Sequence, residues 1–180
     1  MVTMTGAKSL YPSKPVPTKD RHTISEIVHP SSKWEKVATG SGFMEGINFD
    51  RNGQIWMVSR ATGEIMKVEG DKVSIVGEKY KLPVGAKFHK DGRLFITDLT
   101  GELYAYNTKT GERTTIVNSY SGSPLRGLND LVFDDAGGVY FTEPMGSSAT
   151  KPTGRVFYLP PNSSEVQLFQ EGIAYPNGIA

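Results

Sequence analysis

Gly46-Ile47-Asn48-Phe49-Asp50-Arg51-Asn52-Gly53, Gly85-Ala86-Lys87-Phe88-His89-Lys90-Asp91-Gly92 and Asp130-Leu131-Val132-Phe133-Asp134-Asp135-Ala136-Gly137 are three copies of one pattern, with Phe over Phe and Gly over Gly. A partial fourth copy follows at Gly178-Ile179-Ala180. The phenylalanines recur at intervals of roughly 40–45 residues, the period of a small four-stranded unit. Within each copy, short runs of β-branched, aromatic and aliphatic residues are separated by glycine turns, and no amphipathic helix is visible. The first unit reads as strands over 45–50, 54–59, 64–68 and 72–77, turned at Asn52-Gly53, Thr62-Gly63 and Gly70-Asp71. The second repeats that order over 84–88, 93–98, 102–106 and 113–117. The third runs over 129–133, 139–142, 154–159 and 166–170, with an insertion at 144–153. The expected fold is therefore all-β, a β-propeller of which this chain covers about three four-stranded blades and the start of a fourth. Residues 1–35, polar and carrying Pro12, Pro15, Pro17 and Pro30, read as an extended N-terminal arm, and 36–180 as the N-terminal part of one propeller domain.

The residues just ahead of the four copies are Glu45, Val84, Asn129 and Asn177. Three of these four equivalent positions carry side-chain oxygen. A radially repeated fold aims equivalent positions at one central point, so the pattern suggests a central metal site. Composition narrows the metal. The 180 residues include no cysteine, which excludes thiolate ligands and disulfides, and leaves carboxylates, amides, hydroxyls and three histidines. Calcium, magnesium or manganese suits such a set better than structural zinc. A net charge of +1 from 20 basic and 19 acidic residues, without a long run of either sign, leaves no electrostatic footprint for nucleic acid. No apolar run approaches signal-peptide or membrane-spanning length, so a soluble cytoplasmic protein without a membrane partner is expected.

Met44-Glu45-Gly46-Ile47-Asn48-Phe49-Asp50, Gly127-Leu128-Asn129-Asp130-Leu131-Val132-Phe133-Asp134 and Tyr175-Pro176-Asn177-Gly178-Ile179-Ala180 resemble the family of senescence marker protein, gluconolactonase and luciferin-regenerating enzyme. Within that family the chain is most like the drug-responsive lactonases of bacteria. Tyr140-Phe141-Thr142-Glu143-Pro144, Gly146-Ser147-Ser148 and Pro152-Thr153-Gly154 add to the likeness. The resemblance implies a six-bladed propeller with one divalent cation in its channel, Ca²⁺ foremost and Mg²⁺, Mn²⁺ or Zn²⁺ as alternatives, acting on a small-molecule lactone. It implies Glu45, Asn129 and Asn177 as metal ligands, with Asn129 also a candidate substrate contact. The family's acid/base aspartate has no counterpart within these 180 residues, so the expectation is the N-terminal half of a metal-dependent lactone hydrolase, or a ring completed from outside the chain. Self-association through the open propeller face, including pairing of two chains into one ring, is one such completion.

Other residues carry competing readings. Asn129 and Asn177 also suit turns, Pro176-Asn177-Gly178 above all. Arg126 stands near the channel mouth if Asn129 does, where a guanidinium could hold a lactone or its carboxylate product; the alternative is a solvated loop arginine. Glu143 reads as a loop carboxylate capping backbone donors, His89 as a surface turn residue, and His22 and His29 as arm residues. Trp56, Phe95 and Phe141 read as core between blades. A non-catalytic propeller serving as a binding or interaction surface is the alternative to the enzyme.

Overall fold

The structure, a computed structural model, describes residues 26, 28–40, 42–77 and 79–180. The chain divides into two compact units, Met1–Lys36 and Val37–Ala180. Most of the expected arm, His22 included, lies outside the described residues. His29 is described: it is exposed and its Nδ1 is 2.7 Å from Ser31 Oγ.

In the second unit the regular structure is all strand. Three antiparallel four-stranded sheets follow one another along the chain. The first holds β1 (Met44–Phe49), β2 (Ile55–Ser59), β3 (Ile65–Glu69) and β4 (Lys72–Ile75); the second holds β5 (Pro83–Phe88), β6 (Leu94–Asp98), β7 (Glu102–Tyr106) and β8 (Arg113–Val117). A short hairpin of β9 (Ser119–Tyr120) and β10 (Ser123–Pro124), absent from the sequence reading, leads to the third sheet. That sheet holds β11 (Leu131–Phe133), β12 (Val139–Glu143), β13 (Gly154–Leu159) and β14 (Gln167–Ile173). Each sheet pairs its strands in chain order, so every one is a simple meander. The repeat glycines Gly53, Gly92 and Gly137 end the first turn of each sheet at φ of 75°, 94° and 97°, a left-handed conformation that side chains disfavour.

The repeat phenylalanines have a packing role. Trp56 on β2 meets Phe88 of the second sheet edge-on at 5.7 Å, and Phe95 on β6 meets Phe133 of the third at 5.2 Å and 88°. An aromatic on the second strand of one sheet thus docks on the repeat Phe of the next. Phe49, with no sheet before it among the described residues, is 61% exposed. Phe141 is fully buried and stacks on Phe157 of its own sheet, within a core that also takes in Phe95, Leu103 and Val117 from the second sheet. His89 does begin a turn, since Gly92 N donates to its carbonyl. It is half-buried rather than fully at the surface: its ring lies 4.9 Å from Phe133 and 5.4 Å from Phe95, because the packed aromatics between the second and third sheets extend over the turn.

The first strand of each sheet is irregular at the same place. The β1–β2 register breaks between Glu45 and Asn48, with Gly46 at φ 57°, and the β5–β6 register breaks between Pro83 and Ala86. In the third sheet the ladder starts only at Leu131, not at Asn129 as the sequence suggested. In the second and third sheets a hydroxyl takes the place of the carbonyl that a regular ladder would offer, Gly85 N donating to Thr97 Oγ1 at 2.9 Å and Asp130 N to Thr142 Oγ1 at 3.0 Å. The first sheet bulges at Gly46 with Val58 opposite Glu45 and no such hydroxyl. Such bulges turn side chains away from the normal alternation and are frequent beside functional sites.

Candidate functional site

The irregular segments converge. A cavity of 190 Å³ is lined by Glu45, Gly46 and Ile47 from β1, Val84 to Lys87 from β5, Asn129 and Asp130 ahead of β11, and Asn177. The three candidate metal ligands, far apart in sequence, therefore border one space. Among the described residues the side chains of Glu45, Asn129 and Asn177 make no hydrogen bond or ion pair with the protein. Glu45 and Asn129 are half-buried and Asn177 is exposed.

Close backbone approach shapes this space. A Cβ on Gly46 would lie 2.7 Å from Ala86 N, and one on Gly85 would lie 2.6 Å from both the Asn129 carbonyl oxygen and Thr97 Oγ1. At the equivalent place the third sheet carries Asp130, whose side chain lines the cavity instead. Its Oδ2 accepts from Ile179 N at 3.1 Å and its Oδ1 from Leu131 N at 2.9 Å. Asp130 was not singled out from sequence, although the Asn129-Asp130 step, where the other copies read Glu45-Gly46 and Asn177-Gly178, was a signal. Two carboxylate residues, Glu45 and Asp130, and one lysine, Lys87, are among the residues that line the cavity. The donors are carboxylate and amide oxygens without sulfur or imidazole, a set that fits a hard divalent cation of the calcium type.

Arg126 lies elsewhere. It lines a separate cavity of 500 Å³ with Pro152, Thr153, Arg155, Glu171 and Gly172. Its main-chain N–H donates to Glu143 Oε1 at 2.7 Å, its Nε and Nη2 to Oε2 at 2.9 and 2.7 Å, and Nη2 also to the Thr153 carbonyl at 2.6 Å. Glu143 is correspondingly different from its sequence reading. It does accept a backbone donor, but it ends β12 rather than sitting in a loop, is fully buried, and also accepts from Arg155 Nε at 2.6 Å and Nη2 at 2.9 Å. Burial by itself would raise its pKa. The hydrogen bonds from Arg155 and from the amide and guanidinium of Arg126 outweigh that and hold it below its usual value of 4.5. The Arg126–Glu143 contact anchors the segment leading into Asn129.

The sequence profile of the family described as SMP-30/Gluconolactonase/LRE-like region matches residues 43–180. Lactonase drp35 of Staphylococcus aureus strain MW2 is 34% identical over 156 residues, which take in 82% of this chain and 47% of that protein. Lactonase drp35 of Staphylococcus epidermidis strain ATCC 12228 is 34% identical over 155 residues with the same shares. The chain thus spans about half the length of the curated relatives it matches. Among solved structures, a gluconolactonase from Xanthomonas campestris superposes with a TM-score of 0.65 at 18% identity, over 73% of this chain and 48% of that one. A virginiamycin B lyase from Staphylococcus aureus gives 0.58 at 17% identity, over 76% and 45%. At those identities the two structures speak for the fold alone, a β-propeller.

Proposed function

Because the chain belongs to the SMP-30/Gluconolactonase/LRE-like family, we propose that it is part of a metal-dependent lactone hydrolase whose complete ring has six blades. The observation that carries the reading is the meeting of Glu45, Asn129 and Asn177 at one cavity. In this reading those three residues hold a single divalent cation, Ca²⁺ foremost. The cation supplies a Lewis acid for a lactone carbonyl.

The remaining roles fall to residues of the chain by their existing commitments. Asn129 stands where its amide can also touch substrate. Asp130 adds negative charge to the cavity wall while its oxygens hold the main chain at Leu131 and Ile179. Arg126 has Nε and Nη2 engaged by Glu143, and its Nη1 makes one long contact of 3.4 Å, to Thr153 Oγ1. Because Arg126 lines a cavity separate from the one bordered by Glu45, Asn129 and Asn177, its role here is to hold Glu143 and Thr153, and it is not assigned to the substrate. Glu45 as a ligand and Asp130 as a backbone acceptor leave neither well placed to move a proton, so the acid/base carboxylate is assigned to residues that follow position 180. The substrate class is a small sugar or aliphatic lactone.

Hydrolysis of a lactone panel, followed by proton release with added Ca²⁺ and with EDTA, tests the proposal. Ca²⁺-dependent turnover that is weak for the 180 residues and strong for a chain extended by its following blades is the expected result. Equal activity in the two forms would remove the assignment of the acid/base group, and activity insensitive to EDTA would remove the metal.

A further inference from the structure

Two buried hydroxyls occupy the same place in consecutive sheets and make the same pair of bonds. Thr97, fully buried on β6, accepts from Gly85 N of its own sheet and donates at 2.6 Å to the main-chain carbonyl of Asn129, which enters the next sheet. Thr142, 2% exposed on β12, accepts from Asp130 N and donates at 2.8 Å to the main-chain carbonyl of Asn177. A hydroxyl has one hydrogen to give. In both threonines the short donation leaves the sheet that carries it and fixes the main chain of the asparagine that follows, the Gly85 carbonyl of Thr97's own sheet standing farther off at 3.4 Å.

The first sheet supplies the contrast. The cross-strand partners place Val58 of β2 opposite Glu45, and the residue entering the second sheet at the asparagine position is Val84, which has no side-chain oxygen. Threonine stands where the following sheet presents an asparagine to the cavity and is replaced by valine where it does not. Gly85 is part of the same arrangement, since a Cβ there would meet both the Thr97 hydroxyl and the Asn129 carbonyl at 2.6 Å. We infer that Thr97 and Thr142 are positioning residues: each sets the main chain, and through it the side-chain amide, of the asparagine that lines the central cavity. The inference rests on the reading of that cavity as a cation site.

The test uses Thr97→Val and Thr142→Val, which keep shape and remove the hydroxyl, with Thr97→Ser and Thr142→Ser as restoring variants. Ca²⁺ is titrated calorimetrically and Tb³⁺ by luminescence, and the side-chain amide resonances of Asn129 and Asn177 are followed by NMR. Each valine variant is expected to weaken Ca²⁺ binding about tenfold or more, and each serine variant to come back to within about twofold of the parent. Thr97→Val should move the Asn129 amide and leave Asn177 in place, and Thr142→Val the reverse. Parental Ca²⁺ affinity in folded valine variants, or amides that stay put, would overturn the inference; a general loss of packing would move both amides together and would overturn it too. If the parent takes up neither Ca²⁺ nor Tb³⁺, the cation reading falls, and the selectivity of the amide shifts alone decides whether the threonines position the asparagines. Should a valine variant not fold, the parent still decides: added Ca²⁺ must shift the methyl resonances of Thr97 and Thr142 but not that of Thr115 on the outer strand β8, and silent Thr97 and Thr142 methyls would refute the role.

Discussion

Glu143 and Arg155 face each other across β12 and β13 as a two-pronged pair, Nε donating to Oε2 at 2.6 Å and Nη2 to Oε1 at 2.9 Å, while the guanidinium of Arg126 closes on the same carboxylate. Replacing Glu143 by Gln leaves two guanidinium groups without their counter-charge. Removing one partner of a fully buried ion pair costs about 3–5 kcal/mol. Here the arginines left behind are 36% and 22% exposed and partly solvated, which brings the expected cost down to about 1–3 kcal/mol. Urea denaturation at neutral pH should show a loss of that order. The folded-state pKa of Glu143 is depressed below 4.5, so its stabilising contribution is present above that value and is lost as pH falls through the lower folded value. The gap between parent and Glu143→Gln should therefore narrow below about pH 4.5 in a denaturation series; a constant gap would contradict the pairing.

Glu45 offers the opposite case. Its side chain has no protein partner among the described residues, so Glu45→Gln should change stability in EDTA by no more than about 0.5 kcal/mol. Ca²⁺ affinity should nonetheless fall about tenfold or more, because a formal charge leaves an oxygen site otherwise rich in neutral amides. Calorimetric titration beside a melting curve separates the two effects. Equal affinity in the variant would exclude Glu45 as a ligand.

Gly85→Ala places a methyl 2.6 Å from a carbonyl oxygen and from a hydroxyl, with the Asp130 Cα at 2.9 Å. Backbone has to shift, and overpacking of this kind costs about 1–3 kcal/mol. The expected result is a lower denaturation midpoint together with weaker Ca²⁺ binding, since the displaced atom belongs to Asn129. Gly53→Ala, whose added Cβ meets nothing within 4 Å, is the control: it bears only the strain of φ 75° and should leave Ca²⁺ binding unaltered.

Phe49 on the first sheet, and Phe169 on the third, where it packs edge-on against Tyr140 at 5.0 Å, are exposed at 61% and 63%. Sedimentation velocity should detect concentration-dependent association of the 180-residue chain. The double substitution Phe49→Ser and Phe169→Ser should reduce it, at little cost to stability, whereas Phe157→Ala in the core should cost about 3–5 kcal/mol. Association unaffected by the double substitution would place the contact elsewhere.

Where local pattern alone decides structure, the sequence was legible. The strands Glu102–Tyr106, Arg113–Val117 and Gly154–Leu159 have the bounds that alternation and Thr-Gly or Pro-Thr-Gly punctuation suggested. The gathering of Glu45, Asn129 and Asn177 around one cavity was legible too, because equivalent positions of a repeat must converge if the repeat is radial. What was not legible depended on a side chain standing in for backbone. The late start of β11 follows from Asp130 N bonding to the Thr142 hydroxyl, and nothing in Thr142 itself announces which amide it will take. The burial of Glu143 depends on Arg155, whose partnership arises only once β12 and β13 pair. The Ser119–Tyr120 and Ser123–Pro124 hairpin was hidden because strands of two residues about Ser121-Gly122 are too short to show alternation.

The threonine contacts also have a direction in time. Thr97 precedes the carbonyl it holds by 32 residues and Thr142 precedes its own by 35. A ribosome delivers the hydroxyl, and the sheet that orients it, before the segment that hydroxyl receives. Each completed sheet can thus serve as a template on which the entry to its successor is set during synthesis, so that the cavity wall is laid down piece by piece from the N-terminal side. A fault in one sheet would be inherited by the asparagine that comes after it, while the sheets already made would be spared.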